Sequence, residues 1–269
     1  MYLLSSALIA VKLTFRARFG SIAFWCVVLL CAAVWMSAQF SGRQPTTVAM
    51  DVGLSLIRIV LPVLGVLMLQ ELVSREFERR YFLSSLTYPR PRPHFLLGRL
   101  AGLFGLLSIL LVVLACVLAA LVGWVAQGYE QATPVSLGSH YWLTIAFILL
   151  DLFVMLSLGA LLAVTASTPS FVSIGALGFV LIARSYASII ALLQQDGWLV
   201  SNAEAYSSSL GLLSYLLPDL GSLDVRMIAL YGRMEFLPAD WPWLLLSSLA
   251  YAIAFLALSV WALNRKRFV

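Results

Sequence analysis

Asp151 and Arg184 are the residues whose chemistry stands out, because each lies deep in a long apolar stretch where a charge is costly. Asp151 is the only acid at such depth, so the sequence lacks the paired or clustered aspartates that an intramembrane protease or a lipid synthase needs. The three cysteines, Cys26, Cys31 and Cys116, follow no metal-ligand spacing. The pattern therefore predicts charge pairing in an apolar environment rather than catalysis.

The composition predicts that the apolar stretches around these two residues lie in a membrane. The chain has 269 residues, of which 62% are hydrophobic and 11% charged, whereas soluble domains carry about 25% charge. Uncharged runs of roughly 20 residues are long enough to cross a bilayer as helices. These runs are continuous rather than alternating, which favours helices over a barrel.

We predict an all-α membrane protein that forms one transmembrane domain over residues 1–269. Residues 1–19 are predicted to form an amphipathic interfacial helix, in which Leu4, Leu8 and Val11 recur at helical spacing beside Lys12. Residues 73–98 are a predicted cytosolic coupling region, and residues 195–241 a predicted outer segment of short re-entrant helices. The six predicted transmembrane helices lie at about 20–39, 53–72, 99–126, 141–165, 168–194 and 242–263.

The basic residues orient these spans. With the N-terminus in the cytoplasm, twelve Lys and Arg residues lie inside and three outside, which follows the positive-inside rule and places both termini in the cytoplasm. The net charge of +5 is therefore a topology signal, and nucleic acid is excluded as a partner because no soluble basic domain exists to bind it. Six tryptophans mark the outer interface: Trp35, Trp124, Trp142, Trp198, Trp241 and Trp243.

In this topology Asp151 and Arg184 are about equally far from the outer ends of their spans, so we predict that they contact each other. The pair would fix two helices together, or it would take part in substrate passage or gating. Arg58 lies about five residues into the second predicted span, from where we expect it to extend outward as an anchor. Ser139 and His140 are adjacent in an outer loop and have no evident partner.

Residues 71–99 hold six of the seventeen basic residues between two apolar runs. Acidic and basic residues from Glu71 to about Leu86 recur three or four positions apart, which favours a helix, and three prolines then stiffen the return. The block is either an ordinary cytosolic loop or a docking helix for a cytosolic motor. The prolines are Pro89, Pro91 and Pro93.

With these features the chain resembles the permease subunit of a type-2 ABC transporter, the exporter class. An amphipathic helix precedes the first span, and a charged helix that contains Arg75-Glu76-Phe77 precedes a Pro-Arg return and the LLGR of residues 96–99. LPDLGSLDVR, residues 217–226, precedes the last span, and the chain ends in a basic, Phe-containing tail. Many members carry a Gly-Thr pair in the coupling helix, where this chain has Arg79 and Arg80.

The resemblance implies a complex of two permease subunits, which are two copies or a paralogue pair, with two cytosolic ABC ATPase subunits in a bacterial inner membrane. Membrane lipids would surround it. ATP and Mg would be bound by the partner ATPase, since this chain has no P-loop, and the chain itself is expected to hold no cofactor or metal and to be no enzyme. The residues implied in ATPase coupling are Glu71, Arg75, Glu76, Arg79, Arg80 and Phe82.

Other classes of membrane protein stay open at this point. A secondary transporter or channel is the main alternative, although the sequence shows none of the internal repeats common in such proteins. An integral-membrane enzyme is the other. The spans carry few polar residues, so they do not indicate which substrate is moved.

Overall fold

The chain is described by a computed structural model that covers residues 2–16, 19–74, 92–128, 135–166, 168–195 and 218–265. Every regular element in these ranges is helical, as the sequence predicted. The elements are α1 (Tyr2–Arg16), α2 (Phe19–Phe40), α3 (Pro45–Leu69), a π-helical turn (Gln70–Ser74), α4 (Arg92–Ala126), α5 (Ser139–Thr165), α6 (Pro169–Gln195), α7 (Arg226–Tyr231), a 3₁₀ turn (Met234–Phe236) and α8 (Trp241–Arg265).

Five helices of the described chain are long and apolar enough to cross a membrane. They are α2, α3 with its π-helical turn, α4, α5 and α8. A helix satisfies its own backbone hydrogen bonds, which hydrocarbon requires of any spanning segment. These helices indicate a multi-pass membrane protein.

The helices divide into a buried centre and an exposed periphery. Helices α3 and α5 are the most buried of the apolar helices, whereas α2 and α8 are the least. Tyr141 of α5 is fully buried and donates a hydrogen bond of 2.7 Å to the carbonyl oxygen of Ala115 in α4. Large apolar side chains on the peripheral helices, such as Trp25 and Ile253, are exposed, which suits helices whose outer faces meet lipid chains.

Two helices begin earlier than the sequence suggested. Helix α3 begins at Pro45, before the span predicted for residues 53–72, and α4 begins at Arg92, before the span predicted for 99–126. Proline fits the first turn of a helix because its missing N–H would have no partner there. Pro93 therefore lies in the first turn of α4, and its assignment to a separate elbow was wrong; Pro89 and Pro91 lie outside the described residues.

Helix α1 forms where the sequence predicted a helix, and it packs closely against α4. Ala10 and Thr14 of α1 are buried, while Leu8 is exposed. The contact depends on a glycine: a β-carbon at Gly102 of α4 would lie 2.7 Å from the carbonyl oxygen of Ala7 and 3.0 Å from the β-carbon of Ala10. Small residues on both helices let the two backbones approach.

Replacing Gly102 with alanine is expected to destabilise the protein by about 1–3 kcal/mol, because the added methyl group collides with backbone atoms of α1. Gly105 of the same helix is the matched control, since a β-carbon there would meet nothing within 4 Å. Gly105→Ala should be neutral or stabilising by up to about 1 kcal/mol, through helix propensity. Unfolding in SDS titrations measures both variants, and equal effects would contradict the close packing of α1.

Candidate functional site

Asp151 of α5 and Arg184 of α6 lie in direct contact, as their matching depths predicted. The Nη2 of Arg184 donates to Oδ2 of Asp151 at 2.5 Å. The Asp151 side chain is 1% exposed, and that of Arg184 is 22% exposed. A carboxylate this deeply buried needs a cationic partner to remain charged. The same Nη2 also donates to the backbone oxygen of Arg58 at 3.2 Å, which ties α6 to α3.

Arg58 belongs to this cluster, and the expectation that it extends outward as an anchor was wrong. It is buried, with its Nε 3.6 Å from Oδ2 of Asp151 and its Nη2 donating to the carbonyl oxygen of Leu220 at 2.7 Å. Its Nη1 forms an ion pair with Asp224. The error follows from the start of α3. Counted from Pro45, Arg58 lies thirteen residues into the helix, about 20 Å along it, rather than five.

Asp224 and Leu220 belong to a short non-helical segment, residues 218–226, which ends at the first residue of α7. A turn closed by the Asp219 side chain stabilises the segment: the backbone N–H of Ser222 donates to Oδ1 of Asp219 at 3.1 Å, and the Ser222 hydroxyl donates to Oδ2 at 2.5 Å. Leu220, Leu223 and Val225 are buried. The segment is therefore ordered by its own turn and by packing against the helices.

Arg226 ends the 218–226 segment and extends the charge cluster toward the start of α3. Its Nη1 lies 3.0 Å from Oδ1 of Asp51, and its Nε lies 3.3 Å from Oδ2 of Asp224. It also donates to the hydroxyl of Ser55. Asp224 thus lies between two arginines, one buried and one about a third exposed.

We refer to these three arginines and three aspartates as the charge network; its members are Asp51, Arg58, Asp151, Arg184, Asp224 and Arg226. Its formal charge is zero, which offsets the cost of burying its inner members, Arg58 and Asp151. Three buried atoms in it lack a hydrogen-bond partner among the described residues: Oδ1 of Asp151 and the Nε atoms of Arg58 and Arg184. The network therefore holds α3, α5, α6 and the 218–226 segment together while keeping unused donors and an unused acceptor.

The sequence located one pair of this network and missed the rest. Asp224 and Arg226 were placed in an outer segment, and no periodic pattern connects that segment to Arg58, because it is irregular and 162 residues separate Arg58 from Leu220. The one available signal was the LPDLGSLDVR stretch itself, which combines turn residues with two charges. Its described part, residues 218–226, lies against Arg58.

The residues implied in ATPase coupling fall mostly outside the described part of the chain; these are Arg75, Glu76, Arg79, Arg80 and Phe82. Glu71 is described and lies exposed in the π-helical turn that ends α3. Among the contacts that hold this turn, Ser173 of α6 donates to the side chain of Gln70, and Arg99 of α4 donates to the carbonyl oxygen of Leu72.

Arg99 was counted as a loop residue and as the start of the third span. It is buried instead, seven residues into the helix counting from Arg92, and its guanidinium lies 4.1 Å from the centre of the Phe95 ring. A cation held over an aromatic face in this way is stabilised by the ring's quadrupole. Arg99 thus fixes α4 against the end of α3.

His140 has a partner that the sequence did not suggest. Its Nδ1 lies 3.1 Å from the hydroxyl of Ser136, four residues earlier, while Ser139 begins α5. The backbone N–H of Ser136 donates to the carbonyl oxygen of Ala229 at 3.1 Å, so this contact lies beside α7. Ser136 and His140 therefore connect the start of α5 to α7.

No protein-family model matches this chain, and no curated protein matches it.

Proposed function

We propose that the chain is the membrane-spanning subunit of an ATP-driven export complex of the type-2 ABC class. It moves a substrate, or transmits mechanical work, across a bacterial inner membrane. The observation that supports the proposal is the charge network: the described part of the family-like LPDLGSLDVR stretch binds Arg58 of α3, which lies beside Asp151 of α5, and Asp151 binds Arg184 of α6. A permease needs such a connection between its outer segment and its spans in order to open and close a path.

Six spans and two cytoplasmic termini form part of the proposal. Helix α6 is the span that the proposal adds to the other five: its 27 residues extend about 40 Å, and Asp151 neutralises its one charged residue, the partly buried Arg184. The outer interface is marked by tryptophans at one end of the bundle. Trp35 at the end of α2 stacks on Trp124 at the end of α4, with ring centres 5.3 Å apart. Exposed tryptophans such as these prefer the bilayer interface.

The helices on either side of the proposed coupling region, residues 73–98, are joined by hydrogen bonds. The bond from Arg99 to Leu72 joins the helices that enter and leave this region, and the bond from Ser173 to Gln70 adds α6. A displacement applied to the region therefore moves the inner ends of α3 and α4 together. This is the mechanical property that alternating access driven by a cytosolic ATPase requires.

The proposal is tested by purifying the full chain from its native membrane and identifying proteins that accompany it. We expect a cytosolic ABC ATPase to copurify, and we expect the Arg79→Glu/Arg80→Glu variant to reduce its recovery at least tenfold, because the variant reverses two charges in the docking helix. Recovery is measured by quantitative mass spectrometry against the parent chain.

A matched control reverses two charges elsewhere on the proposed cytoplasmic side. Lys12 of α1 and Arg265 at the end of α8 are both exposed, and the Lys12→Glu/Arg265→Glu variant should retain the ATPase. Loss of the ATPase in both variants would mean that general charge, rather than the coupling helix, holds the partner. Absence of any ATPase from the parent preparation would contradict the proposed function.

A secondary transporter is the second candidate, and the buried charge network favours it specifically, because intramembrane charges often line the path of coupled ions. Conformational change in such a protein responds to an ion gradient without ATP. Transport or labelling in membrane vesicles that follows the gradient and is unaffected by removal of ATP would select this candidate over the ABC permease.

A further inference from the structure

The 218–226 segment is attached to α3 at two points: its end through Arg226, which contacts Asp51 and Ser55, and its middle through one buried guanidinium, that of Arg58. Arg58 donates Nη2 to the carbonyl oxygen of Leu220 and pairs through Nη1 with Asp224. These two contacts span most of the segment. The segment also packs tightly on α6, since a β-carbon at Gly221 would lie 2.9 Å from the backbone oxygen of Arg184.

Arg58 does not use all of its N–H groups to hold the segment. Its Nε has no hydrogen-bond partner among the described residues and lies 3.6 Å from Oδ2 of Asp151, too far for a good hydrogen bond but close enough for attraction. Asp151 in turn uses Oδ2 for Arg184 and leaves the buried Oδ1 without a hydrogen-bond partner in the described part of the chain. An unused donor of Arg58 therefore lies near a carboxylate that has one unused oxygen.

This arrangement changes the cost of detaching the segment. If Asp224 and the Leu220 carbonyl moved away and nothing replaced them, Arg58 would be a buried, unpaired cation, which is strongly unfavourable. With Asp151 beside it, a small rotation of the guanidinium replaces both lost contacts with a direct ion pair. Arg58 thus has a carboxylate partner with the segment attached and with the segment released, and in the released state Asp151 is shared between Arg58 and Arg184.

We propose that the 218–226 segment is a detachable latch, released when Arg58 exchanges Asp224 and the Leu220 carbonyl for Asp151. The hydrogen bonds between Asp219 and Ser222 keep residues 219–222 together when the segment moves. The proposed function enters this proposal at one point only: it determines on which side of the membrane the latch lies. The latch itself would work in the same way in an ABC permease and in a secondary transporter.

The latch is tested on the purified full chain in detergent, without ATP or partner, by the rate at which a hydrophilic maleimide labels Leu223→Cys. Leu223 is 2% exposed, so labelling requires release of the segment. Cys26, Cys31 and Cys116 are first replaced by alanine. Asp224→Asn removes the attached partner of Arg58 with almost no change of shape, and we expect it to raise the labelling rate about tenfold.

Two controls separate release from other effects. Asp51→Asn removes the carboxylate that holds the end of the segment through Arg226; because this ion pair is exposed and contributes little, the variant should change the labelling rate less than twofold. A second probe, Leu107→Cys, lies in the fully buried core of α4 and reports general unfolding. With Asp224→Asn, labelling at Leu107→Cys should stay at the rate of the parent.

The exchange itself is tested by adding Asp151→Asn. Asparagine is neutral and cannot replace the carboxylate, so Asp224→Asn should lower the yield of folded protein at least fivefold more in the Asp151→Asn background than in the parent. An unchanged rate at Leu223→Cys in Asp224→Asn would overturn the latch, as would an equal rise at Leu107→Cys. Additive effects of the two asparagine substitutions would overturn the exchange of partners. None of these outcomes depends on whether an ATPase copurifies.

Discussion

Replacing Asp151 with alanine is expected to lower the free energy of unfolding by about 3–5 kcal/mol, because the change leaves Arg184 buried without its carboxylate and removes the neighbour of Arg58. Asp151 is almost fully buried, so solvent cannot compensate for the loss. The matched control is Asp51→Ala, which removes a carboxylate of the same network that is 46% exposed. That variant should cost no more than about 1 kcal/mol.

The pairing is isolated by a double-mutant cycle in SDS titrations. Arg184→Ala/Asp151→Ala should be more stable than Asp151→Ala alone, because the double variant removes both buried charges of the pair. Arg58 keeps Asp224 in that variant, so no buried guanidinium is left alone. A double variant whose cost equals the sum of the two single costs would show that the two residues act independently.

Replacing Arg58 with methionine is expected to cost about 2–3 kcal/mol, the second largest effect, because the carbonyl oxygen of Leu220 and the carboxylate of Asp224 lose a charged donor. Methionine keeps a long, flexible side chain that fills the space. Asp151 and Asp224 each keep one arginine, which limits the loss.

Arg226→Met is the matched control for this prediction, since Arg226 also contacts Asp224 but is about a third exposed. It should cost about 1 kcal/mol or less. Both variants are measured by loss of tryptophan fluorescence in the same titration. Equal costs for the two variants would contradict the buried, bridging role assigned to Arg58.

The sequence predicted the helical class and the Asp151–Arg184 contact because both depend on simple periodic quantities. Uncharged runs long enough for a bilayer identify apolar helices, and equal distances from the ends of two runs place two charges at one depth. The contact required no knowledge of the loops. It follows from the rise per residue and from the cost of leaving either charge unpaired.

Arg58 shows where such reasoning stops. Its depth was misjudged because α3 begins at Pro45, in a polar stretch that hydropathy assigned to a loop. The half-exposed Asp51 lies in the second turn of that helix and contacts Arg226. Because Asp51 has an ion-pair partner in the fold, its charge does not mark the end of the helix. The partners of Arg58, Asp224 and Leu220, lie in an irregular segment whose path no spacing rule predicts.

Helix α1 shows a second limit of the sequence pattern. Its apolar spacing predicted a helix, and a helix is present. The residues that pack it against α4 are small ones, Ala7, Ala10 and Gly102, and small residues contribute little to an apolar periodicity. Two helix backbones approach closely where the side chains between them are small, and the hydrophobic pattern does not reveal such positions.

The side of the membrane on which residues 75–91 lie tests the proposed permease most directly. In a background without the native cysteines, Arg80→Cys is labelled with a membrane-impermeant maleimide in intact spheroplasts and again after permeabilisation. Arg43→Cys, in the connection between α2 and α3, and Thr168→Cys, before α6, serve as the outer and inner references. We expect Arg80→Cys to follow Thr168→Cys and to react only after permeabilisation. Labelling of Arg80→Cys in intact spheroplasts at the rate of Arg43→Cys would place the basic block outside, where no ATP-driven partner could act on it.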